Sequence, residues 1–463
     1  MSIPSNSSSR RCAVFLRALP VAVVPILIVG TALGAGAQTP RVTVAIPRTL
    51  TLPVAEGLLL QRNLAIAVNR QQLEAAEAAK LIAGYKPNPT IQVGGEQIPI
   101  QSPISGSVPR FFSTNSDAGA NPVYTFLFNK VIERGDKRKF RTQQAESQVA
   151  AARAQILDAY RLQLLQLRQA YGGAILARLN LELARQSLSE YEQTERLTDT
   201  RVQAGDAAQV ELYRIRSGKL PYQQAILQAE SSYRQACLDV LNLLNSQRED
   251  VVMQPAAAPA GEPTGSVLEL AGNFSDRTPL MTLEELKRVG LAERPDVEAA
   301  RRAHEAAQFG LKLAEAQRTR DISIGAEYQR VGDDSSLGMI ASVPLFLYNN
   351  QKAGISQAAA LERASDLQLR QTQLQAVTDI EKALEKLNVA QQALKVYSAD
   401  NVAQTERLRQ VAFFSYQQGA TSLFELLDAQ RMLLQARIGY AQAQFDLQTG
   451  LWMLEAAIGR SLF

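Results

Sequence analysis

Two carboxylates in this 463-residue sequence stand at the same distance from a glycine. Glu211 follows Gly205 by six positions, and Glu425 follows Gly419 by six. The second frame is wider, with Tyr416 three residues before the glycine and Asp428 nine after it. Glycine adopts a left-handed conformation at no steric cost and so closes an incoming helix. Asp206 in one stretch and Thr421-Ser422 in the other are residue types that cap an outgoing helix. Val202–Arg214 and Tyr416–Asp428 therefore each read as the tip of a helical hairpin, with an acid in the first turns of the returning arm. The chemistry open to such acids is electrostatic, and for either one alone the plain reading is compensation of the helix dipole.

Other chemistries lack their residues. The chain has one histidine, His304, and two cysteines, Cys12 and Cys237. Neither a structural zinc site nor a disulfide framework can be assembled from these. No Ser-His-Asp arrangement and no glycine-rich phosphate loop is evident. The expectation is a protein with no catalytic residues, no cofactor and no bound metal. The formal charge of +4 includes Arg10, Arg11 and Arg17 near the N-terminus. Without them the chain is almost neutral, which argues against a nucleic-acid partner.

Those arginines precede an apolar run, Ala18–Leu33, and then Ala35-Gly36-Ala37 before Gln38, the pattern of a cleaved signal peptide over residues 1–37. An uncleaved anchor is the alternative. No later run of about 20 apolar residues suggests a transmembrane helix. Residues 41–51 read as an irregular lead-in and 53–84 as a helix, stopped by Lys86-Pro87-Asn88-Pro89. Strands are expected at 90–97 and 122–132, with a polar loop at 98–121 between them. A long helix follows to about residue 201; its apolar residues Ile156, Tyr160, Leu164, Leu167, Tyr171 and Ile175 recur at three- and four-residue steps. The return helix spans 206–245, with a kink at Pro221.

After a Pro/Ala/Gly linker at 249–276 the pattern restarts. Asp321-Ile322-Ser323-Ile324-Gly325-Ala326-Glu327 matches Thr90-Ile91-Gln92-Val93-Gly94-Gly95-Glu96, Lys352 follows its strands as Lys137 does, and Gly419–Glu425 repeats Gly205–Glu211. This indicates an internal duplication: a first repeat over 38–248, and a second over 277–463 with strands at 320–330 and 336–347. A single helix over 351–416 extends about 100 Å, and its Leu374, Val377, Ile380, Leu384, Leu387 spacing favours coiled-coil packing. The strands are long enough to cross a bilayer, but four strands cannot close a barrel and open edges are not tolerated in lipid. Either several chains share one barrel, or the strands form soluble hairpins.

The leader, the duplicated helix-strand-strand-helix-hairpin unit and the glycine-plus-carboxylate tips resemble the TolC family of outer-membrane efflux ducts. The resemblance covers nearly all of the chain after the leader. It implies a mainly α fold with a small β part: a homotrimeric twelve-stranded barrel in outer-membrane lipid, continued by a long α-helical coiled-coil tunnel across the periplasm. It also implies passive export from a periplasmic membrane-fusion adaptor and an inner-membrane pump of RND or ABC type, gated at the hairpin tips. The family's tip motif falls on Tyr416, Gly419, Glu425 and Asp428; in the first half only Glu211 matches, with Val202 and Arg214 at the other places. Three copies would bring Glu211, Glu425 and Asp428 near one axis, a ring that favours cations. Tyr416 would hydrogen-bond between hairpins or simply pack. Glu133–Lys139 resembles a Gly-Lys-Arg-containing stretch in the heavy-metal branch, with Asp136 where that branch often has Gly. That raises divalent-metal efflux beside drug efflux as the pump's task, while the plainer reading of the stretch is a basic belt where the barrel meets the periplasm. A periplasmic coiled-coil adaptor or scaffold is the competing class, but it requires one hairpin flanked by β-rich domains.

Overall fold

The computed structural model describes residues 46–96, 123–247, 251–252, 268–272, 274 and 281–462. The expected signal peptide, the 98–121 loop and most of the 249–276 linker lie outside the described residues. The lead-in is more regular than its sequence suggested. β1 (Ile46–Pro47) and β2 (Thr49–Thr51) pair in parallel with β5 (Val251–Val252) and β6 (Glu269–Ala271), which belong to the linker. Tyr171 Oη, 2.7 Å from both Leu50 O and Ala271 O, fastens β2 and β6 to the long helix beneath them.

The expected 53–84 helix is two helices, α1 (Leu52–Arg62) and α2 (Leu64–Gly84). Asn63 between them has extended backbone angles, and its side chain accepts from the N–H groups of Ala65 and Ile66, so it starts α2 as a cap. β3 (Thr90–Glu96) and β4 (Val123–Ile132) lead into α3 (Lys137–Ala204), whose 68 residues extend about 100 Å. The return arm divides into α4 (Gln209–Gly218) and α5 (Leu220–Leu243), with Pro221 in the first turn of α5. A Cβ on Gly218 would run into Tyr191 Oη, so the close approach of α4 to α3 favours glycine there.

The second half runs α6 (Leu283–Glu293), α7 (Pro295–Ala316), β7 (Ile322–Val331), β8 (Asp334–Ser342), α8 (Lys352–Val396), α9 (Ala399–Gln417) and α10 (Leu423–Ile458). Residues 343–347 lie beyond β8 rather than in a strand. The expected continuous 351–416 helix is interrupted at Tyr397-Ser398. Ser398 Oγ accepts from Asn401 N–H, and the Asn401 amide takes the Val396 carbonyl, so local side-chain bonds replace a turn of helix.

β3, β4, β7 and β8 form one antiparallel sheet in that order. Across one face the register aligns Val93 with Phe126, Tyr328 and Leu337, and Ile91 with Phe128, Ala326 and Met339. Ile91, Val93, Leu337 and Met339 are strongly exposed. The opposite face carries Gln92, Leu127, Glu327 and Gly338, then Thr125, Gln329 and Ser336. The apolar face of the sheet is thus left uncovered, where an antiparallel sheet in water ordinarily buries it against a core. β3 and β8 are its unpaired edges.

Candidate functional site at the hairpin tips

Both tips close by the same backbone device. Gly205 (φ +84°) and Gly419 (φ +75°) are left-handed. Asp206 N–H donates to Arg201 O (2.8 Å) and Gly205 N–H to Val202 O (3.1 Å); Ala420 N–H donates to Ser415 O (2.8 Å) and Gly419 N–H to Tyr416 O (3.0 Å). These paired bonds make a Schellman closure at each end. The outgoing helices start differently. Ser422 Oγ accepts from Glu425 N–H and caps α10, as the Thr421-Ser422 pair suggested. Asp206 does not cap α4: its N-cap is Ala208, with no side-chain bond, because the chain stays non-helical for two residues beyond Asp206.

The tips meet through a small core of Tyr191, Leu212, Ile215, Tyr416, Leu423 and Leu426. Tyr416, only 1% exposed, is its polar centre. Its hydroxyl lies 3.0 Å from Thr198 Oγ1 and donates to Glu211 Oε2 at 3.3 Å. Arg201 covers the Tyr416 ring with its guanidinium 4.6 Å from the centroid, and Nη1 donates to Tyr416 O at 2.7 Å. Arg201 Nη2 also reaches Asp206 O (3.2 Å), so one arginine ties the first tip to the second. Burial pushes the Tyr416 phenol above its ordinary value, overriding the Thr198 bond that works the other way, and the Glu211 charge adds to the rise. The hydroxyl is therefore a neutral donor throughout the physiological range.

Of the residues singled out from sequence, the structure brings Glu211 and Tyr416 together. Glu425, exposed in the first turn of α10, and Asp428 contact neither. Asp428 pairs instead with Arg431 Nη2 at 2.6 Å, both side chains being largely solvated.

A conformational penalty follows from the two positive φ angles. Gly205→Ala and Gly419→Ala are each expected to loosen their tips by about 1 kcal/mol, read as roughly fivefold faster amide exchange at Asp206 and Ala420. Gly419 should suffer more, since its new Cβ would lie 3.3 Å from Arg201 Nη2 whereas Gly205 faces open space.

A family model described as outer membrane efflux protein matches residues 57–246 and 288–460, taking in both hairpins and all four strands of the larger sheet. The chain belongs to that family. This efflux protein is 22% identical over 432 residues to nodulation protein T of Rhizobium leguminosarum bv. trifolii, covering 89% of this chain and 85% of that protein. Its fold is that of the outer-membrane channel OprN (TM-score 0.70, 19% identity, 89% and 90% of the two chains). The MtrE outer membrane channel of Neisseria gonorrhoeae, solved in its open state, is similar too (TM-score 0.69, 19% identity, 90% of each chain). Membership identifies an outer-membrane efflux channel protein, not an enzyme. No helix among the described residues is long and apolar enough to cross a membrane.

Sequence reasoning missed Arg201 and Thr198 in this efflux protein. The available signal was their spacing: each lies on the same α3 face as buried Tyr191 and Thr194, at three- and four-residue steps. A buried threonine pair on a long helix is a sign that a polar partner packs there.

Proposed function

We propose that three copies of this chain each contribute four strands to a shared twelve-stranded barrel, continued by their helices as a periplasmic duct. The observation that carries this reading is the four-stranded sheet with one apolar face and two unpaired edges. An apolar face suits lipid, but unpaired N–H and C=O groups do not, so β3 of one copy pairs with β8 of the next until the ring closes. The helices deliver cargo from an adaptor and an inner-membrane pump, and the tips form the entrance. The chain itself is an internal duplication preceded by a signal peptide over 1–37. Asn63 and Arg294 break their helices with nearly identical backbone angles, and Asp136 and Gln351 both open long helices in left-handed conformation, which supports that reading. Asp136 itself is left-handed (φ +57°), a conformation that glycine adopts at least cost.

At the entrance, Glu211, Glu425 and Asp428 of the three copies form an acidic rim, and Tyr416 holds the hairpins together. Such a rim favours cationic cargo, a divalent metal or a cationic drug, over anions. Among the described residues no His, Cys, Asp and Glu cluster could hold a metal ion, so a metal would pass as cargo. The assembly is tested by fractionation and gel mobility: the mature protein should pellet with outer membranes and run as a trimer until boiled. The rim is tested in planar bilayers. Glu425→Ala with Asp428→Ala should raise leak conductance and move the reversal potential in a salt gradient toward zero. Unchanged conductance and selectivity would remove both acids from the entrance.

A further inference from the structure

Where β4 passes into α3, the surface opens into a groove of about 700 Å³ lined by Lys86, Lys130, Lys137, Arg138 and Lys139. Two of the charges around it are already matched. Lys137 Nζ pairs with Asp321 at 2.8 Å, and Glu133 accepts from Arg141 at 2.9 Å. Lys86, Lys130, Arg138 and Lys139 are exposed and take part in no ion pair among the described residues, and Asp136 is the one lining carboxylate besides Glu133. The groove therefore carries a surplus of cations facing a cavity. Lys130 is the informative member. It stands on the apolar face of the sheet in line with Phe126, Phe128 and Ile132, one step from the strand's helix-side end. A lysine at such a position lays its methylenes along the apolar surface and presents its ammonium at the polar boundary.

We propose that this groove binds the phosphodiester headgroup of an anionic phospholipid in the periplasmic leaflet, with the acyl chains lying along Ile132, Phe128 and Ile91. This rests on the reading of the sheet as part of a membrane barrel. The juxtaposition selects a lipid over a soluble anion, because the charges adjoin an exposed apolar strip that a free phosphate would leave uncovered. Basic side chains at a bilayer surface attract anionic lipids, and a cavity turns that general attraction into a defined seat. The free cations are needed there because Lys137 and Arg141 are already engaged in holding the strand ends to α3 and to the end of α2.

The test is native mass spectrometry of the full-length assembly released from micelles doped with dioleoylphosphatidylglycerol or dioleoylphosphatidylcholine. The wild type should retain the anionic lipid in preference. Lys130→Gln/Arg138→Gln/Lys139→Gln should lose that preference, while Lys395→Gln, on the distant α8, should keep it. Each charge removed is expected to lower retention roughly fivefold, so Lys139→Gln alone still reports if the triple variant does not assemble. Equal retention of the two lipids by the wild type, or an unaltered preference in the groove variants, would overturn the proposal. Displacement of the lipid by inorganic phosphate would overturn its lipid assignment. An intact detergent-requiring trimer without lipid preference sinks this site alone; a protein that needs no detergent and runs as a monomer sinks the barrel as well.

Discussion

Arg201→Ala combined with Tyr416→Phe should leave the assembly intact and raise its conductance in planar bilayers at least tenfold. The double change deletes every polar bond by which the second tip holds the first through Tyr416. Lost are the Arg201 bond to Tyr416 O, the guanidinium over the ring, and the hydroxyl's contacts with Glu211 and Thr198. A hydrogen bond involving a charged group contributes about 1.5–3 kcal/mol and a desolvated cation–π contact about 2. Even a fraction of that sum, some 1.4 kcal/mol, shifts a closed-to-open equilibrium tenfold. The apolar part of the tip core, Leu212, Ile215, Leu423 and Leu426, is untouched, so the helices should part without unfolding. The wild type carries its own control in pH. The Tyr416 phenol is raised, so its contribution is fully present below the unfolded value of about 10 and is lost as pH climbs through the folded one. The new phenolate would then face Glu211, with Arg201 over the ring to soften the repulsion. An alkaline rise in conductance that Tyr416→Phe abolishes would attribute the latch to this hydroxyl. An intact assembly of the double variant with wild-type conductance would show that the tips are held elsewhere.

Where the sequence was legible, a local rule was at work. Gly205 and Gly419 were readable because a helix terminus that needs positive φ admits few residues. The alternation in β4 was readable because a strand's faces repeat every second residue. The interruption at Tyr397-Ser398 was hidden because Ser398 and Asn401 are ordinary helix-surface residues until their side chains turn back on the backbone. The pairing of β1 and β2 with linker strands β5 and β6 was hidden for another reason. Parallel two- and three-residue pairings across some 200 positions leave no periodic trace, and they exist because Tyr171 and the apolar cluster beneath provide a surface to lie on. In the site itself, acids could be counted from sequence, but the partner of Glu211 could not be read there. Asp428 is answered by Arg431 one turn along the same helix, a pairing its spacing allows, but Glu211 meets Tyr416 from 205 positions away, which depends on how the two hairpins pack.

The largest stability effect is expected from a residue far from the tips. Arg294, 2% exposed, occupies the break between α6 and α7, where Pro295 forbids helical geometry at the preceding residue. Its guanidinium donates to Asp296 through Nε (3.0 Å) and Nη2 (2.6 Å), to Asp379 of α8 (3.1 Å) and to Ala457 O of α10 (3.1 Å). Arg161 of α3 approaches Asp296 at 3.7 Å and donates to the neighbouring Ala456 O at 2.7 Å. One buried cation thus joins α7, α8 and α10 at the place where α10 ends in the left-handed Gly459, and α3 adjoins it through Arg161. Arg294→Ala should cost about 3 kcal/mol, because it leaves half-buried Asp296 with only the more distant Arg161 as a cation and removes the Arg294 bonds to Asp379 and Ala457 O. Removing all three charges together, as Arg294→Met/Asp296→Asn/Asp379→Asn, should recover part of that loss, since a node without ions avoids the desolvation of buried charge. Acid gives the matching signature. Burial acts to raise the Asp296 carboxyl, but the Arg294 bonds and charge, helped by Arg161, bring it below its ordinary value. Its contribution is therefore present above about pH 4 and disappears as pH falls through the depressed value. Denaturation followed by circular dichroism should show the triple variant losing less stability than the wild type over that acidic window. If Arg294→Ala melts within a degree of the wild type, the four helices are held by their apolar cores alone.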